Sequence, residues 1–226
     1  MKIKKILSIS LVKTIHINLH YFGLKGFLCP IIVFRNIELA ELKGQVIIDK
    51  WQTGVVRIGE LLVGSAGKKE SHGVWQVSGT IWFKGKCVLG SGSKLSCNKN
   101  GKIIFGDNFA TTANSEFICS NKMVFGANSL ISWDCLFMDN DLHKIHLKNN
   151  NKQINESAEI VIGEFCWICC RSVILKGVHL ANNTIVAANS TITSSFSEEN
   201  IIVGACNKVL KKEVCWERPT EYNPMC

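Results

Sequence analysis

An aliphatic side chain returns every six residues through the C-terminal part of this chain: Ile162, Ile168, Ile174, Leu180, Val186 and Ile192. Helices repeat at about 3.6 residues and strands at 2, so neither alone gives this spacing. Six is three strand periods, which puts every marked residue on the same side of an extended backbone. Four residues after each of the first five stands a small or β-branched residue: Cys166, Ser172, Val178, Thr184 and Ser190. If each six-residue unit is a short strand and a corner, three units close a triangular coil of eighteen residues. Coils then stack ~4.8 Å apart, at the spacing of hydrogen-bonded strands. The aliphatic series points inward and the small series fits the corners. Gly163, Ala181, Ala187, Asn182, Asn183 and Asn189 suit those corners, because Gly and Asn tolerate left-handed backbone angles.

Earlier segments keep this pattern with interruptions. Leu89 and Leu95, Phe105 with Thr111 and Phe117, and Phe125 with Ile131 are in step, and Cys135 takes the small position. Val46–Ile48 and Val55–Gly59 read as strands in a blurred register. Two polar stretches break out, roughly 64–73 and 139–159; the second is Asn-rich and cannot fill a core position. The expected organisation is an N-terminal helical segment over 1–39, a repeat region over 40–204 with an extended loop at 139–159, and a cap over 205–226. KVLKKEVCWERP is expected to form a short helix there, since a solenoid needs its last coil covered.

The formal charge of +8 is concentrated at the start: Lys2, Lys4, Lys5, Lys13, Lys25 and Arg35 precede the first acid, Glu38. The remainder is close to balanced, which argues against a nucleic-acid-binding face. Lys13, His16 and His20 interrupt the apolar residues of the N-terminus, so neither a signal peptide nor a spanning helix is expected. An amphipathic helix against the body is expected, with peripheral contact to an anionic membrane surface as the alternative. Eleven cysteines, an odd number, do not read as a disulfide framework. Cys166 and Cys169 have CxxC spacing, but no second such pair follows, so no metal is expected. Free cysteine serves as a small hydrophobe, and a reducing cytoplasm fits.

The six-residue grammar is that of a hexapeptide repeat. The block IGEFCWICCRSVILKGVHLANNTIVAANSTIT, followed by IIVGACNKVLKK, resembles the hexapeptide-repeat acyltransferases. With ISWDCLFMDNDLHKI before it and KTIHINLHYF near the start, the chain is most similar to O-acetyltransferases of capsular and exopolysaccharide biosynthesis. The resemblance implies a left-handed parallel β-helix, with acetyl-CoA as co-substrate and a sugar acceptor. It also implies a homotrimer holding acyl-CoA between neighbouring solenoids. His143 takes the place of the catalytic histidine, a side chain able to remove a hydroxyl proton as the oxygen attacks a thioester. Asp134 matches an acceptor-binding position, and Asp139 or Asp141 is expected to orient the imidazole. Trp167 matches an aromatic beside the acyl-CoA channel. Cys170 and Ala188 match positions that offer backbone groups to pantetheine, and Lys208 and Lys211 match cations near the CoA phosphates. Three positions depart from the pattern: Cys169 for Gly, Ser194 for Lys and Cys206 for Pro.

A zinc-dependent γ-carbonic anhydrase needs three converging histidines, and the spacing of His143, His146 and His179 does not supply them. A non-catalytic scaffold would lack a loop histidine. N-acetylation of a nucleotide-linked amino sugar is not separated from O-acetylation by sequence.

Overall fold

The computed structural model describes residues 7–64 and 71–218, so Lys2, Lys4, Lys5 and most of the 64–73 loop lie outside the described residues. From Ile31 to Ile192 the strands pair in parallel with the strand three places along the chain, and Ile185–Val186 then pairs in parallel with Ile202–Gly204. Three parallel sheets result, and they form the three faces of a prism.

The first face runs from Ile31–Val33 through Val56–Glu60, Cys87–Gly90, Phe109–Thr111, Leu130–Ile131, Trp167–Ile168 and Ile185–Val186 to Ile202–Gly204. The second runs from Ile37–Glu41 to Thr191–Ile192, and the third from Gln45–Ile48 to His179–Leu180. The marked aliphatic residues stack as the period requires: Ile162 on Leu180, Ile168 on Val186, Ile174 on Ile192. All six are buried, as are Cys166, Ser172, Val178, Thr184 and Ser190.

Upstream, aromatic residues take over the inward positions. Phe83, Phe105 and Phe125 stack on the third face with ring centroids 5.5 Å apart at each step. Phe117 stacks on Phe137 on the second face at 5.2 Å. The rings need wider coils. Val173 pairs with Thr191, eighteen residues on, whereas Lys94 pairs with Glu116, twenty-two residues on, and Glu116 with Leu136, twenty on. The extra residues lie at the corners, which is why the upstream register is blurred in the sequence.

The corners correct one expectation. Left-handed backbone falls three residues after the inward aliphatic, at Phe165, Arg171, Gly177, Asn183 and Asn189, and not at Gly163, Ala181, Ala187 or Asn182. Gly163 is needed for close approach instead. A Cβ there would stand 2.7 Å from the backbone of Ala181 and Asn182.

The prism begins at Ile31, inside the stretch expected to be helical. The helix α1, Leu11–Phe22, starts at Ser10, whose side chain accepts a hydrogen bond from Lys13 N, and stops at Gly23. It lies against the first strand through polar side chains. Asn18 Nδ2 donates to Ile31 O at 2.6 Å and Asn18 Oδ1 accepts from Ile31 N, while Thr14 Oγ1 accepts from Val33 N at 3.0 Å. These bonds satisfy an otherwise bare sheet edge.

The far end also differs from expectation. In place of a capping helix, a 3-10 turn at Ala205–Asn207 leads into the strand Lys208–Lys211, antiparallel to Ile202–Gly204. Left-handed angles at Cys206 and Asn207 stop a helix at this point, and a strand pairs the exposed edge directly. The chain then turns back along the first face. Trp216 Nε1 donates to Phe165 O at 2.7 Å, and Arg218 Nη1 donates to Asn108 O. Beneath this tail, Val88, Ala110 and Leu130 form an outward apolar stripe, packed by Leu62, Trp167 and Trp216.

Candidate active site

The second face delivers its strand Leu136–Met138 to the edge shared with the third face, where the 139–159 loop leaves the prism. Its root is fixed by Asp139. That carboxylate is fully buried and accepts from the backbone N–H of Ser120 and Asn121, both at 2.8 Å. It is therefore a structural anchor and does not orient an imidazole. Beyond the root the loop is a hairpin: His146 bridges Gln153, Leu147 N donates to Lys152 O, and Ile154 N donates to Ile145 O.

His143 stands where this hairpin leaves the root, and its side chain is exposed. Its backbone is held twice: His143 N donates to Asp141 O at 2.6 Å, and Asn155 Nδ2 donates to His143 O at 2.7 Å. Asp141 does not orient the imidazole either. Its Oδ2 accepts from Lys176 Nζ at 2.5 Å and from Asn155 Nδ2 at 2.8 Å. The Lys176 ammonium, with the Asn155 amide, holds its carboxyl below the usual carboxylate range. Asp141 thus places the His143 backbone, with Asn155 and Lys176 as partners that sequence reasoning missed. Asn155 is one of several asparagines in its loop, and Lys176 lies thirty-five residues from Asp141. His146 serves the hairpin ladder, and His179 lies on the third face 3.7 Å from Glu159.

The other expected site residues gather elsewhere. Asp134 is exposed, with φ 58°. It sits on the edge between first and second faces, in one column with Arg171 and Asn189, one residue on from the column of Trp133, Cys170 and Ala188. Arg171 N donates to Trp133 O at 3.0 Å, and Asn189 N donates to Cys170 O at 2.9 Å, joining successive coils along this edge. Trp167 projects from the first face beside it, with Nε1 donating to Ser132 Oγ at 3.1 Å. Its ring packs against Trp216 with centroids 5.7 Å apart. Lys208 and Lys211 lie on the exposed last strand of the same face. Within one chain, then, Asp134, Trp167, Cys170, Ala188 and the two lysines share one side, while His143 lies across the second face from them.

The departures have local causes. Cys206 has φ 58°, which proline's ring, fixed near −65°, could not adopt. Ser194 N donates to Asn207 Oδ1 at 3.2 Å. Cys169 is half-buried beside Trp167, and burial, with Cys170 adjacent, pushes its thiol up to about 11.

The family model for bacterial transferase hexapeptide (six repeats) matches residues 159–194. Over 142 residues the chain is 26% identical to WbbJ of Escherichia coli (strain K12), named as a lipopolysaccharide biosynthesis O-acetyl transferase; the match spans 59% of this chain and 72% of WbbJ. It is 27% identical to an uncharacterised 24.8 kDa protein from the cps region of Klebsiella pneumoniae, over 62% of this chain and 61% of that protein. Among solved structures, the polySia-specific acetyltransferase NeuO superposes with a TM-score of 0.53 at 19% identity, covering 81% of this chain and 72% of that one. Its likeness establishes the fold, a left-handed parallel β-helix. Residues 159–194 thus carry a repeat that fits the bacterial transferase hexapeptide model, wound into such a prism.

Proposed function

We propose that this protein is an acetyl-CoA-dependent O-acetyltransferase acting on a sugar hydroxyl in surface-polysaccharide biosynthesis. The observation that carries the reading is His143, an exposed imidazole whose backbone is braced on both sides by a hairpin rooted in the prism. The similarity to WbbJ supports the substrate class.

In the proposed reaction, the imidazole removes the proton of a sugar hydroxyl as its oxygen attacks the thioester carbonyl. The carbon–sulfur bond breaks, the acetyl group passes directly to oxygen, and the imidazolium returns the proton to the departing CoA thiolate. General-base assistance of this kind contributes roughly 10²–10⁴ in rate. Asp134 accepts a hydrogen bond from an acceptor hydroxyl. Trp167, Cys170, Ala188, Lys208 and Lys211 hold the acyl-CoA along the first face and its edge with the second. Because His143 lies across the second face from these groups, a complete site requires two copies side by side, as in a homotrimer. No described helix is long and apolar enough to cross a membrane. The described cysteines are free thiols, which accords with a reducing cytoplasm as the place of action.

The test is release of CoA thiol from acetyl-CoA against a panel of glycans and nucleotide sugars, with the product treated with mild alkali. An ester product is cleaved by that treatment; an alkali-stable product formed only with amino sugars would replace this reading with N-acetylation. His143→Ala should lower turnover at least a hundredfold with an unchanged melting curve. Near-parental turnover would remove His143 from the chemistry.

A further inference from the structure

The helix α1 is inside out for a helix of a water-soluble domain. Its inward face buries Thr14 and Asn18 along with Ile17, spending the two polar side chains on the backbone of Ile31 and Val33. Its outward side shows Leu11 at 72% exposure, Val12 at 80% and Ile15 at 47%. The 3-10 segment Gly23–Leu28 continues the patch with Leu24 at 84%, Phe27 at 69% and Leu28. Single exposed leucines need no explanation, but six large apolar side chains on one short helical unit do. The pattern is not a packing failure, because the inward side is hydrogen-bonded to the prism and Gly26 is pressed against the Asn18 backbone, where a Cβ would stand 2.3 Å from Asn18 O.

The charge around the patch identifies what covers it. Lys25 lies within it, Lys13 and Arg35 are close in sequence, and no acid occurs before Glu38. Lys13 is committed to the carbonyls of Arg35 and Ile37, whereas Lys25 and Arg35 are exposed. A second copy docking patch to patch would bring no carboxylate of the Leu11–Leu28 segment to meet Lys25, and Glu41, which lies near Tyr21, is paired with Lys43. An anionic bilayer supplies both requirements, with acyl chains for the apolar side chains and phosphate for Lys25 and Arg35.

We propose that α1 and the Gly23–Leu28 segment form a peripheral anchor that lays the N-terminal end of the prism on an anionic lipid surface. The apolar residues enter the headgroup boundary while Thr14 and Asn18 keep the helix fastened to the first strand. The prism axis then points away from the membrane, leaving the His143 hairpin some coils above it.

The test is flotation of the full chain at low salt with vesicles of phosphatidylcholine alone and of phosphatidylcholine with phosphatidylglycerol. The anchor requires at least tenfold more bound protein on the anionic vesicles, falling as salt is raised. The triple variant Val12→Asp, Leu24→Asp, Phe27→Asp should lose at least tenfold of that binding, and Lys25→Glu alone should weaken it. All four substitutions lie on exposed positions, and thermal melting checks that the prism persists. Equal flotation on both vesicles, no flotation, or parental binding by the triple variant would overturn the proposal. So would a triple variant that changes only the mass seen by light scattering, which would make the patch a contact between copies. Thiol release with a soluble acceptor should be unaffected by the triple variant, so failure of the anchor is distinguishable from failure of the acetyltransferase reading.

Discussion

Two histidines three positions apart, His143 and His146, are both exposed and both held through the backbone alone, His146 by its bridge to Gln153 and His143 by Asp141 O and Asn155 Nδ2. The sequence singles out His143 through the Trp133–Asp134 pair before it and the repeat after it. It misassigned both nearby aspartates. Asp139 and Asp141 each have a partner closer at hand, the backbone of the preceding coil for one and Lys176 of the following coil for the other. Neighbours in adjacent coils are about twenty residues away or more, beyond what local spacing can reveal. The cysteines, by contrast, were readable as small core residues. Burial pushes the thiols of Cys135 and Cys166 up to about 12 from an ordinary value of 9.0. A raised folded value means the contribution is intact below pH 9, where both folded and unfolded thiols are protonated. It is lost as pH climbs from about 9 toward 12, because the unfolded thiols ionise first. At pH 8 a disulfide reagent should therefore label Cys206 and Cys215 in the native protein. Cys135 and Cys166 should react only in denaturant; rapid native labelling of either would contradict their burial.

At the scale of the coil, one edge shows how tightly the stack is specified. Gly106, Gly126 and Gly163 lie above one another where the third face turns into the first. A Cβ on Gly126 would stand 2.4 Å from the backbone of Gly163. A methyl group there has only backbone to displace, so Gly126→Ala should destabilise by about 1–3 kcal/mol, the usual cost of overpacking. Urea unfolding should show a lower midpoint, and parental stability would mean that the coils are spaced more widely than described. Gly163 was visible in the sequence as a corner glycine, but for left-handed geometry. The actual reason is vertical, the approach of successive coils, and a single sequence carries no sign of it. The left-handed positions that do exist, Phe165 and Arg171 among them, are occupied by residues that do not advertise such angles.

For the whole molecule, the period of six was enough to give a three-sided parallel prism, and six of six marked residues point inward. What the pattern could not give was the closure, because the segments that close the prism do not repeat. The tail is the clearest case: Arg218 reaches back one hundred and ten residues to Asn108, and Trp216 covers Trp167. If Trp167 borders the acyl-CoA groove, Trp216 forms one wall of it. Trp216→Ala should then raise KM for acetyl-CoA severalfold with kcat little changed, in steady-state thiol release. An unchanged KM would assign the tail a purely structural role over Val88, Ala110 and Leu130.

A stack of parallel strands with bare ends is a template on which another such stack can grow, and a long filament would be the outcome. Here the two termini of the stack are shut by unlike hardware. At the start, Thr14, Asn18 and Lys13 consume backbone groups of the first and second faces. At the finish, an antiparallel strand, the amide of Asn207 and a bridge through Phe196 each seal a different face. Two faces at the start and all three at the finish thus end on groups from outside the repeat, which works against coil-on-coil growth through those faces.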